Sequence, residues 1–116
     1  ILEVIKYLPE PEKTYEKLTD RILDLKNYTE DEELLSNHEI IKKTFKLYWY
    51  LETLAEFSEH YNSDDKLKEI IENTYQHEDY TIREKTAKIL SKTYGYDRYK
   101  ETLKNDENPY VFSYLR

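Results

Sequence analysis

The chain has 116 residues, a formal net charge of −7, and 38% hydrophobic against 37% charged residues. The absence of cysteine excludes disulfides, thiol nucleophiles and thiolate metal sites, and the negative charge disfavours a dedicated nucleic-acid binder, which needs clustered cations. One glycine and three prolines are too few for a turn-rich β-protein and favour helices joined by short polar loops.

Apolar residues at helical spacing divide the first half of the chain into a short apolar segment and three predicted helices. The expected bounds are 1–8 for the segment and 11–27, 30–36 and 38–61 for the helices. Pro11 suits the first turn of a helix, and Thr29 followed by acidic residues is typical of a helix start. The apolar stripe of the third helix is wide, so we expect that helix to lie centrally, contacted on several sides.

The second half of the chain contains four further predicted helices, with expected bounds of 64–76, 79–94, 96–104 and 109–116. Gly95, the only glycine, directly follows Tyr94, and we expect it to take a positive φ at the C′ position of the preceding helix. Asn108 and Pro109 are typical of a helix start. No segment alternates like a strand over a useful length, so the sequence predicts one all-α domain of about seven to eight helices.

One sequence pattern recurs in the later part of the chain. The segment DYTIREKTAKIL is followed by a glycine turn and a leucine-bearing helix, and its opening pattern then returns in DENPYVFSYL. An upstream segment, SNHEIIKKTFKLYW, forms a weaker copy. Its alignment pairs Ile41 with Ile82, Lys42 with Arg83, Phe45 with Thr86 and Trp49 with Leu90. Helix pairs that cannot bury their apolar stripes alone bury a continuous core when they stack.

This pattern resembles the HEAT repeat, in particular the short repeats of bilin-lyase-like proteins, over about residues 64–116 and more weakly over 34–61. The positions that match the family pattern are Gly95, Asp97, Leu103, Asp106, Pro109 and Val111. The resemblance implies a short right-handed α-solenoid of stacked helical hairpins. Its implied parts are N-terminal capping helices at 1–29 and repeat units at 30–61, 64–94 and 96–116.

The resemblance also implies one ion pair between units. Arg83 is expected to reach Asp106 of the next unit, where the guanidinium fork suits a carboxylate. Phe112 stands where the family has an arginine, so we do not expect a regular ladder of Asp–Arg pairs along the stack.

The second helix of each pair is implied to line a concave surface, which gives a candidate binding lane. Its residues are Lys42, Lys46, Arg83, Lys85, Lys88 and Lys92. Lys85, Lys88 and Lys92 follow an i, i+3, i+7 pattern and are expected to form one exposed stripe. Such a lane suits an acidic peptide or a phosphate backbone; the alternative is an ordinary solvent-facing mixture of lysine and glutamate.

Three consecutive aromatic residues, Tyr48, Trp49 and Tyr50, lie in the predicted helix 38–61. Successive helical residues point about 100° apart, so these three rings cannot all face one ligand. We expect Trp49, which aligns with Leu90, to lie in the core. We expect Tyr50 to be the exposed anchor for a partner.

The sequence offers little for catalysis or metal binding. His60 lies one helical turn from Glu56, but such neighbours are common in a glutamate-rich helix, and His38 and His77 more simply hydrogen-bond helix starts. No catalytic or phosphate-binding motif occurs, and one glycine cannot build a phosphate-cradling loop. We therefore predict that the protein is not an enzyme and needs no cofactor or metal.

These observations together predict a non-catalytic protein-interaction or scaffold module. Its partner, a protein or peptide of acidic character, would bind the concave face or an open end of the stack. The apolar stretch 110–116 favours a homodimer through the C-terminal helix, or further chain beyond it. The alternative is binding of a nucleic-acid backbone through the cationic lane. Without a secretory segment or a membrane span, we expect a cytoplasmic protein.

Overall fold

The computed structural model describes residues 10–29, 37–62 and 64–116, which contain six α-helices and no strand. The helices are α1 (Pro11–Thr29), α2 (Asn37–Phe57), α3 (Asp65–Thr74), α4 (Tyr80–Ser91), α5 (Asp97–Lys104) and α6 (Pro109–Phe112). The all-α class is confirmed, and the total of seven to eight helices stays a prediction. Six of the predicted helices lie in the described ranges. The predicted segment 1–8 and helix 30–36 lie outside them.

No described helix combines the length and the apolar character that a membrane crossing requires.

Three helices end three or more residues earlier than the apolar spacing predicts. The observed last residues are Phe57 in α2, Ser91 in α4 and Phe112 in α6. Just beyond α2, the Ser58 hydroxyl donates to the Ala55 carbonyl at 2.9 Å. Just beyond α4, the Thr93 hydroxyl donates to the Leu90 carbonyl at 2.9 Å. Such local side-chain bonds compete with helix continuation, and a count of apolar positions does not register them.

Helix α4 is the centre of the packing. Among the described helices it packs chiefly against α2, α3, α5 and α6, whereas α1 packs chiefly against α2 and α3, and α2 against α1 and α4. Helix α2, which was expected to lie centrally and to be contacted on several sides, has two main neighbours among the described helices. The core side chains with almost no exposure include Leu51, Leu54, Leu67, Ile70, Ile82, Ile89, Leu90, Leu103 and Val111. Burying each such side chain contributes about 1.5–3 kcal/mol.

The turns before α4 and α6 have the same hydrogen-bond construction. His77 Nδ1 accepts from the Asp79 N–H at 3.0 Å, as Asp106 Oδ1 accepts from the Asn108 N–H at 2.9 Å. Asp79 and Asn108 then each cap the following helix by accepting a backbone N–H two residues further on. The recurring sequence pattern is thus a recurring way of starting a helix, and His77 has the helix-start role predicted for it.

The turn between α4 and α5 contains two residues in the left-handed region. Gly95 has φ +78° and Tyr96, the N-cap residue of α5, has φ +58°. The Tyr96 hydroxyl donates to the Asn62 carbonyl at 2.6 Å, which holds the turn against the α2–α3 connection. The predicted positive φ of Gly95 is confirmed. The predicted C′ position is not, because α4 has already ended at Ser91.

Candidate protein-interaction surface

The lysines of α4 do not form an exposed stripe. Lys85 and Lys88 each place their Nζ 2.6 Å from a carboxylate oxygen of Glu52, and Lys92 lies 3.8 Å from Glu56. Lys85 is buried, with 8% of its surface exposed. The prediction of an exposed stripe was therefore wrong. The glutamates lie one helical turn apart on α2, and because α2 packs alongside α4 they meet the lysines at matching spacing.

The charges of this ladder between α2 and α4 stabilise each other. Burial alone would raise the pKa of Glu52, but the hydrogen bonds from Lys85 and Lys88 outweigh it and hold the pKa below its ordinary value. Burial alone would lower the pKa of Lys85, but Glu52 outweighs it and raises that pKa. Glu52 and Lys85 are therefore both charged at neutral pH, and their ion pair connects the two helices.

Arg83 also has a structural contact. Its Nε donates to Asp106 Oδ2 at 2.8 Å, and its Nη1 donates to the backbone carbonyls of His77 and Glu78. The implied contact between Arg83 and Asp106 is confirmed. Four of the six cations in the predicted lane are therefore engaged within the protein, which weakens the nucleic-acid alternative.

The largest exposed apolar surface on α2 lies in its N-terminal half. Ile41, Phe45 and Trp49 follow one another at i, i+4 and i+8 with exposures of 68%, 63% and 50%. We call these three residues the α2 stripe. The expectation that Trp49 lies in the core was wrong, and so was the expectation that Tyr50 is the exposed anchor, because Tyr50 is half-buried and packs against the core.

A one-residue error in the repeat alignment explains both misplacements. In the structure, the Thr44 hydroxyl donates to the Ile40 carbonyl as the Thr86 hydroxyl donates to the Ile82 carbonyl. Lys43 and its new equivalent Lys85 are both buried. The short match between KTFKLY and KTAKIL in the sequence indicates this alignment, in which Lys43 pairs with Lys85. A shift of one residue turns a helix face by about 100°.

In the corrected register, the α2 stripe aligns with three residues of α4 whose surroundings differ. Ile41 is equivalent to Arg83, Phe45 to Ala87 and Trp49 to Ser91. Arg83 joins α4 to the turn before α6, and Ala87 is fully buried. An isoleucine at the arginine position has no charge with which to make the equivalent contact to the turn before α4.

The α2 stripe lines a groove of about 1140 Å³. The other side chains around it come from the second half of α1, from the end of α3 and from the turn before α4, including Ile22, Leu25 and Glu78. Tyr48 and Phe45 pack edge-on against the Trp49 ring, with centroids 5.3 Å and 6.2 Å away. The groove is thus a largely apolar surface with the aromatic rings already ordered on one wall.

Within the described ranges, no group of three or more His, Asp or Glu side chains is arranged to hold a metal ion. Comparison with known protein families, with curated proteins and with solved structures found no match to this chain.

Proposed function

We propose that this protein is a non-catalytic protein-interaction module that binds a partner in the groove along α2. The observation that carries the proposal is the α2 stripe: two aromatic rings and one isoleucine, each at least half exposed, aligned on one helix face. Large apolar side chains grouped beside a concavity mark interaction sites more often than isolated exposed residues do. Aromatic side chains are also the usual anchors of an interface.

We infer that the scaffold is a short HEAT-like α-solenoid. Three observations support this inference. Helices contact in alternation, α1 with α3 and α2 with α4 with α6. The turns before α4 and α6 share one hydrogen-bond construction. Ion pairs link successive layers, as between Lys66 and Asp20 at 2.8 Å and between Arg83 and Asp106 at 2.8 Å.

A binding role is also supported by the hydrogen bonds of the polar side chains near the groove, which are made within the protein. His77 accepts from a backbone N–H, and Asp79 accepts from both the N–H and the hydroxyl of Thr81. These side chains are occupied in starting α4, and the exposed surface beside them is mainly hydrocarbon. Such a site favours association over acid–base chemistry.

The predicted homodimer through the C-terminal helix has less support. Helix α6 has four residues and its Val111 is buried in the core. Its exposed aromatic surface consists of Tyr110, whose ring lies 6.4 Å from that of Tyr80. This pair of rings is smaller than the α2 stripe.

The test is selection of binders from a library of displayed random helical peptides, with Phe45→Ser as the matched control. Because Phe45 is 63% exposed, we expect Phe45→Ser to keep the melting temperature within about 2 °C. We expect selected peptides to shift the emission of Trp49, the only tryptophan, to shorter wavelength and to lose affinity for the control. Selected peptides that bind both proteins equally, or a selection without enrichment, would overturn the proposal.

A further inference from the structure

A basic edge borders the α2 stripe on the surface of the protein. Lys42 and Lys46 directly follow Ile41 and Phe45, are exposed, and form no ion pair within the described ranges. Residues 38–49 contain three lysines against one glutamate, a local charge of +2 in a chain of net charge −7. The lysines of α4, by contrast, all face glutamates of α2. Lys42 and Lys46 therefore form a cationic edge beside the α2 stripe that no side chain of the described ranges pairs with.

The opposite side of the groove has a different charge. Asp79 lies in the turn before α4, where its carboxylate accepts from Thr81 at 2.9 Å and 2.6 Å and is used as a helix cap. Glu78, in the same turn, is exposed and lines the groove. The groove thus lies between the basic edge of Lys42 and Lys46 on α2 and the exposed carboxylate of Glu78 on the far side.

We propose that the occupant of this groove is an amphipathic helix of an acidic partner protein. Its apolar residues, at i, i+4 and i+7 or i+8, lie on the α2 stripe, and its carboxylates lie along the edge that faces Lys42 and Lys46. This inference rests on the proposed function and names the class of partner. The stripe extends about 12 Å along α2, which matches about two turns of a helix seated in a groove.

Charge also disfavours two other occupants. A second copy that placed its own α2 stripe antiparallel on this one would bring the Lys42 and Lys46 edges of the two copies onto the same side of the contact, where like charges repel. The apolar segment 1–8, ILEVIKYL, contains one glutamate and one lysine, so it has no net charge to complement the basic edge.

The test uses three synthetic helical peptides of about four turns. They lack tryptophan and share one apolar stripe of leucine and phenylalanine, and their flanking positions are all glutamate, all glutamine or all lysine. Binding is followed by the emission of Trp49 at low and at high salt. We expect the glutamate peptide to bind about tenfold more tightly than the lysine peptide at low salt, with a smaller ratio at high salt. The double variant Lys42→Glu/Lys46→Glu should reverse the preference.

The possible outcomes separate this inference from the proposed function. If all three peptides bind equally and all lose affinity for Phe45→Ser, the acidic-partner inference fails and the interaction site stands. If none of the three binds, the inference fails, and the library selection decides on the site independently. If the emission of Trp49 is already at short wavelength in the protein without peptide, another occupant covers the groove, and this result also overturns the inference. Light scattering and deletion of residues 1–8 then separate a second copy from the chain's own terminus.

Discussion

Glu52 on α2 joins its helix to α4 through ion pairs with two lysines. Its Oε2 lies 2.6 Å from the Nζ of Lys85, and its Oε1 lies 2.6 Å from the Nζ of Lys88. The Glu52 side chain is 19% exposed. Partial burial strengthens these contacts, and removing the carboxylate would leave two ammonium groups without their counter-charge. The residue therefore matters more to stability than an exposed glutamate of the same helical propensity.

We expect Glu52→Gln to lower the free energy of unfolding by about 2 kcal/mol, since charge-assisted hydrogen bonds to two partly buried lysines are lost. Urea denaturation at neutral pH measures the change. Glu69→Gln is the matched control, because Glu69 is exposed on α3 and forms no ion pair within the described ranges. Equal stability of the two variants would contradict the structural role of Glu52.

The same pair of variants yields a dependence on pH with a definite sign. The pKa of Glu52 is lowered from its ordinary 4.5, so its contribution is complete above pH 4.5 and is lost as the pH falls through the lowered value. The pKa of Lys85 is raised from 10.5, so its contribution is complete below pH 10.5 and is lost as the pH rises through the raised value. The stability gap between the wild type and Glu52→Gln should close at both extremes.

At the scale of elements, the turn between α4 and α5 depends on one residue without a side chain. Gly95 has φ +78°, and a Cβ built at this position would meet no atom within 4 Å. There is room for a side chain at this position, so it is the positive φ of the backbone that favours glycine here. The next residue, Tyr96, takes φ +58° and is held there by its hydroxyl.

We expect Gly95→Ala to destabilise the protein by about 1 kcal/mol, because an L side chain is disfavoured at positive φ. Gly95→Asn should cost less, because asparagine tolerates the left-handed region better than alanine does. Urea denaturation of both variants measures the order. An alanine variant as stable as the wild type, or more stable than the asparagine variant, would show that backbone conformation does not determine the residue at this position.

The turns before α4 and α6 illustrate how elements are joined across the stack. Arg83, in the first turn of α4, reaches back to the carbonyls of His77 and Glu78 and forward to Asp106 before α6. One guanidinium thus fixes two successive turns with directional bonds. At the equivalent position in α2 the chain has Ile41, and a groove lies beside it.

On the scale of the whole molecule, stability is distributed around α4. This helix contacts four others and buries Ile82, Ala87, Ile89 and Leu90 completely. The N-terminal half of α2 instead exposes its apolar stripe. Cooperative opening is expected to be costliest where most apolar contacts are lost.

We therefore expect the slowest-exchanging backbone amides in α4. Amides in the single-turn helix α6 and in residues 38–49 of α2 should exchange faster, because fewer buried contacts hold them. Native-state hydrogen exchange followed by mass spectrometry or NMR measures this order. Slowest exchange in α1, which has two main neighbours among the described helices, would contradict the central position assigned to α4.

The sequence by itself determined the features that depend on neighbours along the chain. Helical spacing, helix-start residues and a lone glycine predicted the all-α class and the positive φ of Gly95, and the family resemblance implied the contact between Arg83 and Asp106. Only the tertiary structure decided which helix faces are covered. Trp49 is exposed, because one residue of register turns a helix face by about 100°. Lys85 is buried, because α2 packs alongside α4 and places Glu52 against its ammonium group. The environment of each side chain is then set by helices far away in sequence.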